Sequence, residues 1–261
     1  MNERKRVLIT GASSGIGYEF SRIFAKNDYD LILVARRGEQ LQKIANEIRS
    51  TYNVAVKVIT KDLSAINSAE EIYFEIIKDL GTIDVLVNNA GIQVYGPFSE
   101  TNLEEELGLI NVNLITLTKL TKLFLKDMKK RGNGRILNVC STGSFAPGPL
   151  NAVYCATKAY VLSFSEAIAE EASGTGVTIT ALCPGATKTE FSKRANIENV
   201  RLFRSKVMEA SEVAEIGYRA LMKGSITVIA GFSNKLTVFS IRMTPRRIVT
   251  KISHYLMSKL T

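Results

Sequence analysis

Short apolar runs alternate with longer amphipathic segments along most of this chain. In the longer segments, apolar residues recur every three or four positions, which is the spacing of one face of a helix. Long helices are predicted around Leu103–Lys130 and over Val153–Ala172. The alternation predicts an α/β fold in which a doubly wound parallel sheet of about seven strands carries helices on both faces. The predicted strands are Val7–Thr10, Leu31–Ala35, Val54–Thr60, Val85–Asn88, Arg135–Cys140, Thr178–Cys183 and Thr227–Ala230.

A glycine-rich segment joins the first predicted strand to the first predicted helix. Glycines allow a positive φ and a close approach of the backbone, so the helix N-terminus can present its unpaired N–H groups to a pyrophosphate. The spacing, G-x-x-x-G-x-G, departs from the general G-x-G-x-x-G fingerprint. Because the rest of a strand–helix–strand unit follows, we interpret the segment as the cradle of a Rossmann-type, dinucleotide-binding domain. The cradle residues are Gly11, Ser13, Ser14, Gly15, Ile16 and Gly17.

The end of the second predicted strand carries a signal for the cofactor. An acidic residue at this position would hold the ribose 2′-hydroxyl of NAD, but Ala35 stands there and is followed by Arg36 and Arg37. A guanidinium group pairs well with a phosphate through its rigid fork of donors. The sequence therefore predicts NADP(H) rather than NAD(H). The alternative is that the two arginines only solvate a loop.

Tyr154 and Lys158 are four residues apart on a predicted helix, with Ser141 thirteen residues before the tyrosine and Asn113 further upstream. Residues at this spacing project from one helix face, where the ammonium would lower the phenol pKa from its ordinary value near 10. A phenol tuned in this way is a general acid, and the Ser141 hydroxyl can polarise a carbonyl. The constellation predicts redox chemistry at a C=O or CH–OH group.

The same Tyr-x-x-x-Lys spacing recurs near the C-terminus, at Tyr255 and Lys259. This second copy has Arg242 in place of the upstream serine, and no glycine loop is associated with it. We therefore interpret it as a surface helix pair.

Five motifs in order resemble the short-chain dehydrogenase/reductase family over roughly residues 5 to 230. The resemblance implies that Asp62 and Leu63 contact an adenine, and that Lys158 also bonds the nicotinamide ribose hydroxyls. Asn113 would distort its helix and hold a water that links Lys158 to solvent. In relatives the two long helices commonly make subunit contacts, which implies a homodimer or homotetramer. The motifs are the glycine loop, Asp62-Leu63, Asn88-Asn89-Ala90-Gly91, Asn113, and the Ser141, Tyr154 and Lys158 set followed by Pro184-Gly185.

The remaining cofactor contacts follow from the same resemblance. Asn89, Ala90 and Gly91 would line the adenosine ribose, and the segment from Pro184 would embrace the nicotinamide amide. Its implied contacts are Pro184, Gly185, Thr187 and Thr189.

Length and composition fit one compact domain. The chain has 261 residues, of which 46% are apolar, and no linker interrupts residues 1–233. We find no signal peptide and no apolar run of eighteen residues, so we expect a soluble, cytoplasmic protein. Reduced thiols are expected for the three cysteines. His254 is the only histidine, which leaves no ordinary histidine-based metal site, and no metal is predicted.

Residues 234–261 form a basic extension. This segment holds six basic and no acidic residues, against a net charge of +9 for the chain. Thr244 and Pro245 are predicted as the N-cap and first position of a helix with an apolar stripe at Ile248, Ile252, Leu256 and Leu260. The stripe either packs on the domain or a second subunit, or lies on an anionic membrane surface as a peripheral contact. No recognised nucleic-acid motif is present, so nucleic acid is not predicted as a partner.

The segment Glu190–Met208 mixes apolar and basic residues and is predicted to be a lid over a small-molecule carbonyl or alcohol substrate. Its apolar residues suit an acyl chain and its cations an attached anionic group, so the substrate predicted is a 3-oxoacyl or related keto/hydroxy acid. A solvated basic helix explains the lid equally well. Two other functions remain open: a non-catalytic NADPH-sensing module, and a sugar-nucleotide epimerase or dehydratase on the same fold.

Overall fold

Seven parallel strands form one sheet in this computed structural model, which describes residues 4–204 and 207–259. The bounds are β1 Arg6–Thr10, β2 Asp30–Ala35, β3 Val56–Thr60, β4 Val85–Asn88, β5 Gly134–Val139, β6 Val177–Cys183 and β9 Thr227–Ile229. In spatial order the strands are β3, β2, β1, β4, β5, β6 and β9. Every pairing along the sheet is parallel, which confirms the predicted fold class. A separate two-stranded pair joins β7, Thr187–Lys188, to β8, Met208–Glu209.

Helices connect the strands and cover both faces of the sheet. The long helix predicted from Leu103 to Lys130 is interrupted by a π-helical segment, Asn111–Thr116. Short 3-10 helices cover Thr142–Phe145 and Arg201–Arg204. The α-helices are α1 Gly15–Lys26, α2 Gly38–Thr51, α3 Ser68–Leu80, α4 Leu103–Ile110, α5 Leu117–Arg131, α6 Ala152–Glu171, α7 Glu190–Arg194, α8 Ala210–Lys223, α9 Phe232–Met243 and α10 Arg246–Met257.

Alternate residues of the central strands pack on opposite faces of the sheet. Val7 and Ile9 of β1 belong to a buried cluster with the apolar residues of α1, α2 and α8. Leu8, between them, packs with the apolar residues of α3 and α5 on the other face. Because a central strand is buried on both faces, its successive residues are nearly all apolar. Such continuous apolar runs allowed the central strands to be predicted from the sequence.

The order of the strands fixes where a ligand can bind. β1 has β2 on one side and β4 on the other, so the connections leave β1 and β4 in opposite directions across the sheet. Such a reversal opens a crevice beyond the carboxyl ends of the two strands. Thr10 and Asn88 end these strands, and both precede motifs that the sequence assigned to the cofactor.

The C-terminal segment differs from its prediction in three ways. Its first helix, α9, begins at Phe232, so the predicted boundary between residues 233 and 234 falls inside a helix. Thr244 follows α9, and its hydroxyl donates to the carbonyl of Ser240 at 2.8 Å, so it does not cap α10. Pro245, with φ −53° and ψ 132°, is itself the N-cap residue rather than the first helical position.

Of the described members of the predicted stripe of α10, only Leu256 lies against the domain, where it lines a cavity. Ile248 and Ile252 are about half exposed, whereas Val249 and Met257 make the buried contacts. Leu260 lies outside the described residues. Among the helices of residues 4–204 and 207–259, none is long and apolar enough to cross a bilayer.

Two glycines before β6 provide a test of this packing. Gly176 has a φ of +79°, and a Cβ there would overlap the carbonyl oxygen of Gly132. Gly174 has a similar φ of +75°, but a Cβ there would meet nothing within 4 Å. We expect Gly174→Ala to lower the free energy of unfolding by about 1–2 kcal/mol, the cost of a left-handed conformation. Gly176→Ala should lower it by about 3 kcal/mol or more, because steric overlap adds to that cost. Urea denaturation measures both, and equal losses would contradict the close crossing.

Candidate active site

The glycine loop between β1 and α1 is held close to two other segments. Gly11 has a φ of +67°, and a Cβ on it would lie 2.8 Å from the Cα atom of Ala90. Gly15 has a φ of +56°, and its Cβ would lie 3.0 Å from Cγ2 of Thr189. A Cβ on Gly17 would overlap the carbonyl oxygen of Gly11. Gly11 and Gly15 therefore line the crevice, whereas Gly17 packs α1 beneath the loop.

The N-terminus of α1 fits a dinucleotide pyrophosphate. Its N-cap residue, Ser14, makes no side-chain cap hydrogen bond, and the first turn carries no acidic residue. The first N–H groups of a helix have no intrahelical partner and favour an anion. Ser13, Ser14, Gly15 and Ile16 all line the cavity that this end of the helix faces. The residues at this end of α1 therefore suit the pyrophosphate that the sequence predicted there.

Hydrogen bonds from the end of β4 brace the glycine loop. The Thr10 hydroxyl accepts the backbone N–H groups of Asn89 at 3.0 Å and Ala90 at 3.1 Å. Nδ2 of Asn89 donates to the carbonyl oxygen of Thr10 at 2.9 Å. The Asn89 amide thus positions the loop, while Ala90 and Gly91 present their backbone to the cavity.

Arg37 is oriented by specific partners rather than only solvating a loop. Its Nη2 donates to the Ser13 hydroxyl at 3.0 Å and to the Ser13 carbonyl at 3.1 Å. Its Nη1 pairs with the Glu190 carboxylate at 2.9 Å. Arg36 lies beside it on the cavity wall. Ser13, Arg36 and Arg37 therefore form one polar corner at the end of β2.

Asp62 and Leu63 lie on the same side of the cavity. Burial opposes ionisation of Asp62, but hydrogen bonds from the Ser64 N–H and hydroxyl, helped by the charge of Arg36, lower the pKa of the carboxyl. Asp62 is therefore an ionised acceptor. The carbonyl of Leu63 accepts the Thr116 hydroxyl at 2.7 Å, which fixes this wall to the π-helical segment.

The lid segment is connected to the glycine loop by a residue that the sequence did not single out as a site residue. Arg194 donates to the Ser14 hydroxyl at 3.2 Å and pairs with Glu190 within α7. Hydrogen bonds from Arg194 and then Arg37 outweigh burial and lower the pKa of Glu190. Glu190 therefore links two arginines that flank the cradle. In the sequence, Arg194 was only one of several lid cations.

Three of the four residues predicted to carry the chemistry, Ser141, Tyr154 and Lys158, meet in the cavity. Tyr154 and Lys158 lie one turn apart on α6, and the Ser141 hydroxyl shares a hydrogen bond with the Tyr154 phenol. The same hydroxyl accepts the Gly143 N–H at 3.0 Å. Nζ of Lys158 is 5.8 Å from the centre of the Tyr154 ring.

The protonation of the pair differs from the sequence-based expectation. Burial raises the pKa of Tyr154 above its ordinary value, and the hydrogen bond with Ser141 offsets this only in part. Burial likewise lowers the pKa of Lys158, whose Nζ donates to the Val139 carbonyl at 2.7 Å. The expected lowering of the phenol pKa was therefore wrong for this arrangement, because desolvation is the largest influence on the phenol and raises its pKa. A protonated phenol is the form that can donate a proton.

Asn113 lies behind the cavity wall rather than in it. The π-helical segment around it is the helix distortion that the sequence predicted. Its side chain is fully buried; Nδ2 donates to the Ile92 carbonyl and Oδ1 accepts the Ile92 N–H, both at 2.9 Å. Asn113 thus positions Ile92, which does line the cavity.

The segment after β6 forms a further wall of the cavity. The Pro184 carbonyl accepts the Thr142 N–H at 2.8 Å, and the Thr187 hydroxyl donates to the Gly185 carbonyl at 3.0 Å. Thr189 caps α7 by accepting the Phe191 N–H at 3.3 Å. All four residues predicted here, Pro184, Gly185, Thr187 and Thr189, line the cavity.

One cavity of about 570 Å³ joins these walls. All the predicted site residues line this cavity except Gly17 and Asn113. Four apolar lid residues complete one side: Phe191, Ile197, Leu202 and Phe203. Lys206, also predicted in the lid, lies outside the described residues.

The C-terminal helices form a wall of the cavity that the sequence analysis missed. A Cβ on Gly185 would lie 2.5 Å from the Asn234 side chain, so this glycine permits α9 to approach. No local pattern revealed this wall, because it depends on how α9 and α10 dock. The wall residues are Thr237, Ile241, Ser253, Leu256 and Met257.

The end of α10 is fastened across the lid. The Tyr95 hydroxyl donates to the Met257 carbonyl at 2.6 Å, and Val200 forms a β-bridge with Lys259. The Arg201 guanidinium lies 4.7 Å from the centre of the Tyr255 ring, and Nζ of Lys259 lies 5.6 Å from that of Tyr95. Tyr255 and Lys259 thus have structural partners, in agreement with their interpretation as a surface pair.

Cys155, next to Tyr154, is not an activated nucleophile. Burial raises the pKa of its thiol to about 11, so the thiol stays protonated at neutral pH. Cys140, Cys155 and Cys183 are all free and buried.

Comparison with known proteins finds one family. Residues 5–199 match the family model described as short chain dehydrogenase. The 17-beta-hydroxysteroid dehydrogenase type 3 of Mus musculus is 32% identical over 261 residues, which cover 97% of this chain and 84% of that protein. Ketoacyl reductase HetN of Nostoc sp. is 36% identical over 187 residues, which cover 69% of this chain and 63% of HetN, less than two thirds of it.

A solved structure agrees with this result. The short-chain dehydrogenase from Sphingobium yanoikuyae in complex with NADPH is 32% identical, and its TM-score is 0.83. The alignment covers 92% of this chain and 94% of that one.

The fastening of α10 can be tested by removing one hydroxyl. We expect Tyr95→Phe to raise the rate of amide hydrogen exchange near the end of α10 about fivefold, since a neutral hydrogen bond contributes about 1 kcal/mol. Tyr160→Phe is the control, because that hydroxyl bonds Thr118 at 3.1 Å, away from α10. Unchanged exchange in Tyr95→Phe would show that this bond does not hold the helix.

Proposed function

Because this chain belongs to the short-chain dehydrogenase family, we propose that it is an NADP(H)-dependent carbonyl reductase for a 3-oxoacyl or related keto/hydroxy-acid substrate. The family makes the chain an oxidoreductase with a nicotinamide cofactor. The observation that carries the proposal is the meeting of Ser141, Tyr154 and Lys158 in the same cavity as the glycine loop.

The three side chains have distinct roles in reduction. When a nicotinamide cofactor is bound in the cavity, the hydride for the carbonyl carbon would come from it. The Tyr154 phenol, which burial keeps protonated, donates its proton to the carbonyl oxygen as negative charge develops there. The Ser141 hydroxyl donates a hydrogen bond to the same oxygen. Lys158 stabilises the tyrosinate that is left, because an ammonium nearby has a large effect where water is excluded.

The polar corner at the end of β2 supports NADP(H). Ala35 offers no carboxylate to a ribose 2′-hydroxyl, and Ser13 and Arg37 are already held together by hydrogen bonds. A 2′-phosphate placed there would meet Arg36, Arg37 and the Ser13 hydroxyl. The relative from Sphingobium yanoikuyae was solved with NADPH, which is in line with this assignment.

The cavity supports a large apolar substrate with a second polar group. Its outer walls are built by apolar residues of the lid, α9 and α10. Nε2 of Gln93 is buried on the cavity wall without a hydrogen-bond partner in the described part of the chain. A 3-oxoacyl group would present its second carbonyl to such a donor. Two relatives are named for ketoacyl and hydroxysteroid groups, both of which combine a carbonyl or hydroxyl with an apolar skeleton.

We also infer a homodimer or homotetramer in a reducing compartment, the cytoplasm. Enzymes of this family are typically oligomeric, and α4, the π-helical segment and α6 present exposed apolar side chains. These are Leu103, Leu107, Ile115 and Tyr160. The three free thiols suit a reducing compartment.

Replacement of one hydroxyl tests the proton donor. Tyr154→Phe should lower turnover by about a thousandfold or more, because it removes the general acid, while leaving NADPH binding intact. Cofactor oxidation followed at the nicotinamide absorbance, and NADPH binding followed by fluorescence, measure the two effects. Tyr255→Phe, in the second Tyr-x-x-x-Lys, is the matched control and should keep full turnover. Substantial activity in Tyr154→Phe would refute the assignment.

Cofactor selectivity tests the polar corner. We expect the double variant Arg36→Ala/Arg37→Ala to raise the KM for NADPH about 30-fold, since hydrogen bonds to a charged group contribute about 2 kcal/mol. The KM for NADH should stay unchanged. Arg22→Ala removes an exposed arginine outside the cavity and should affect neither. A wild-type preference for NADH, or an equal loss with both cofactors, would overturn the assignment.

A further inference from the structure

An apolar stripe runs along the outer side of α9. Its members recur at intervals of four, three and four residues, so they share one helix face. Their side chains are between 54% and 76% exposed. Val238, on the opposite side, is buried. The stripe consists of Phe232, Leu236, Phe239 and Met243.

A second stripe lies on α10, consisting of Ile248, Ile252 and Tyr255, with exposed fractions between 49% and 63%. Single exposed apolar residues are ordinary, but large apolar surfaces rimmed by polar groups mark interaction sites. We call the seven residues of the two stripes the C-terminal face.

The charge around this face is of one sign. Within the described residues of 234–261 no acidic side chain occurs, and the basic ones on α9 and α10 are exposed and make no ion pair. They are Lys235, Arg242, Arg246, Arg247 and Lys251. A surface that is apolar at its centre and cationic at its rim complements a layer that is apolar inside and anionic outside.

We propose that the C-terminal face docks on the surface of an anionic lipid bilayer. α9 and α10 have twelve residues each, whereas a span needs about 20, so the helices would lie in the interface rather than cross it. The charges disfavour a second copy of this chain on the same face. A two-fold contact would bring five unpaired cations on each subunit together, with no carboxylate between them.

Docking would bring the cavity wall that α9 and α10 form close to the lipid surface. The inner sides of α9 and α10 supply five cavity-lining residues, while their outer sides carry the exposed stripes. If the proposed reductase function holds, an apolar carbonyl compound dissolved in the bilayer would reach the cavity without crossing bulk water. This consequence rests on the proposed function, whereas the docking itself does not.

Cosedimentation of the full chain with vesicles tests the proposal. The probes are vesicles of phosphatidylcholine alone and of phosphatidylcholine with phosphatidylglycerol in equal parts. The chain should sediment with the mixed vesicles, and high salt should release it. Arg242→Ala/Arg247→Ala should weaken binding about 25-fold, because each basic residue near an anionic surface contributes about fivefold.

An apolar variant and a matched control complete the test. Phe239→Ser/Met243→Ser should also weaken vesicle binding, while Phe74→Ser should not. Phe74 is as exposed as Phe239, at 64% against 65%, but lies on α3. None of these residues lines the cavity, so turnover of a water-soluble ketone should stay unchanged in every variant. That assay separates failure of docking from failure of the proposed function.

Two results would overturn the proposal. One is wild-type chain that stays in the supernatant with the mixed vesicles. The other is a wild-type oligomer that Phe239→Ser/Met243→Ser converts to monomers while vesicle binding is unaffected, which would assign the face to a subunit contact.

Discussion

The active site depends on the hydrogen bonds that hold the carboxyl end of β1 against the carboxyl end of β4. The Thr10 hydroxyl accepts two N–H groups from the β4 end, and Asn89 donates back to the Thr10 carbonyl. Because the connections diverge here, a crevice opens beyond the ends of the two strands, and these bonds extend the β1–β4 pairing up to its edge. They bring Gly11 against Ala90 so closely that a Cβ would not fit. Ser141 is placed in a similar way, since the N–H groups of Cys140 and Thr142 on either side of it bond the β6 end.

The same enclosure affects the protonation of Tyr154 and Lys158, the pair proposed to be catalytic. Lys158 is buried and Tyr154 is partly buried at the cavity wall, so desolvation pushes each toward its neutral form, the phenol upward in pKa and the ammonium downward. A sequence shows that a cation and a phenol lie one turn apart, but not how much water reaches them. The Lys158 ammonium also finds a carbonyl acceptor in Val139, and this contact depends on the β5 backbone rather than on the helix. Spacing therefore placed the two residues one turn apart on α6, where the structure has them, but gave the wrong sign for the shift of the phenol pKa.

The parts of the fold that the sequence predicted are those governed by local periodicity. The strands were located to within about two residues, because buried parallel strands are continuous apolar runs. The glycine loop was recognisable because Gly11 and Gly15 have a positive φ that few other residues adopt, whereas Asn113 was predicted only through the resemblance to the family. The cavity wall from α9 and α10 was not predictable, since it requires Asn234 to dock on Gly185, nearly fifty residues away. Thr244 was misassigned because a hydroxyl that bonds back into α9 looks, in sequence, like the cap of α10.

The two C-terminal helices have apolar residues on more sides than the cavity requires. Val238, Val249 and Met257 are their buried residues, and Ile241, Leu256 and Met257 line the cavity. The outward stripes of α9 and α10 line no part of the cavity, although Tyr255 lies against the Arg201 guanidinium, and exposing them to water disfavours solubility. Six of the nine net charges of the chain lie in the same segment. Folding explains neither the outward apolar residues nor the concentrated positive charge. An anionic lipid bilayer, which is apolar inside and negatively charged at its surface, would account for both. It would lie next to the cavity in which an apolar substrate would react.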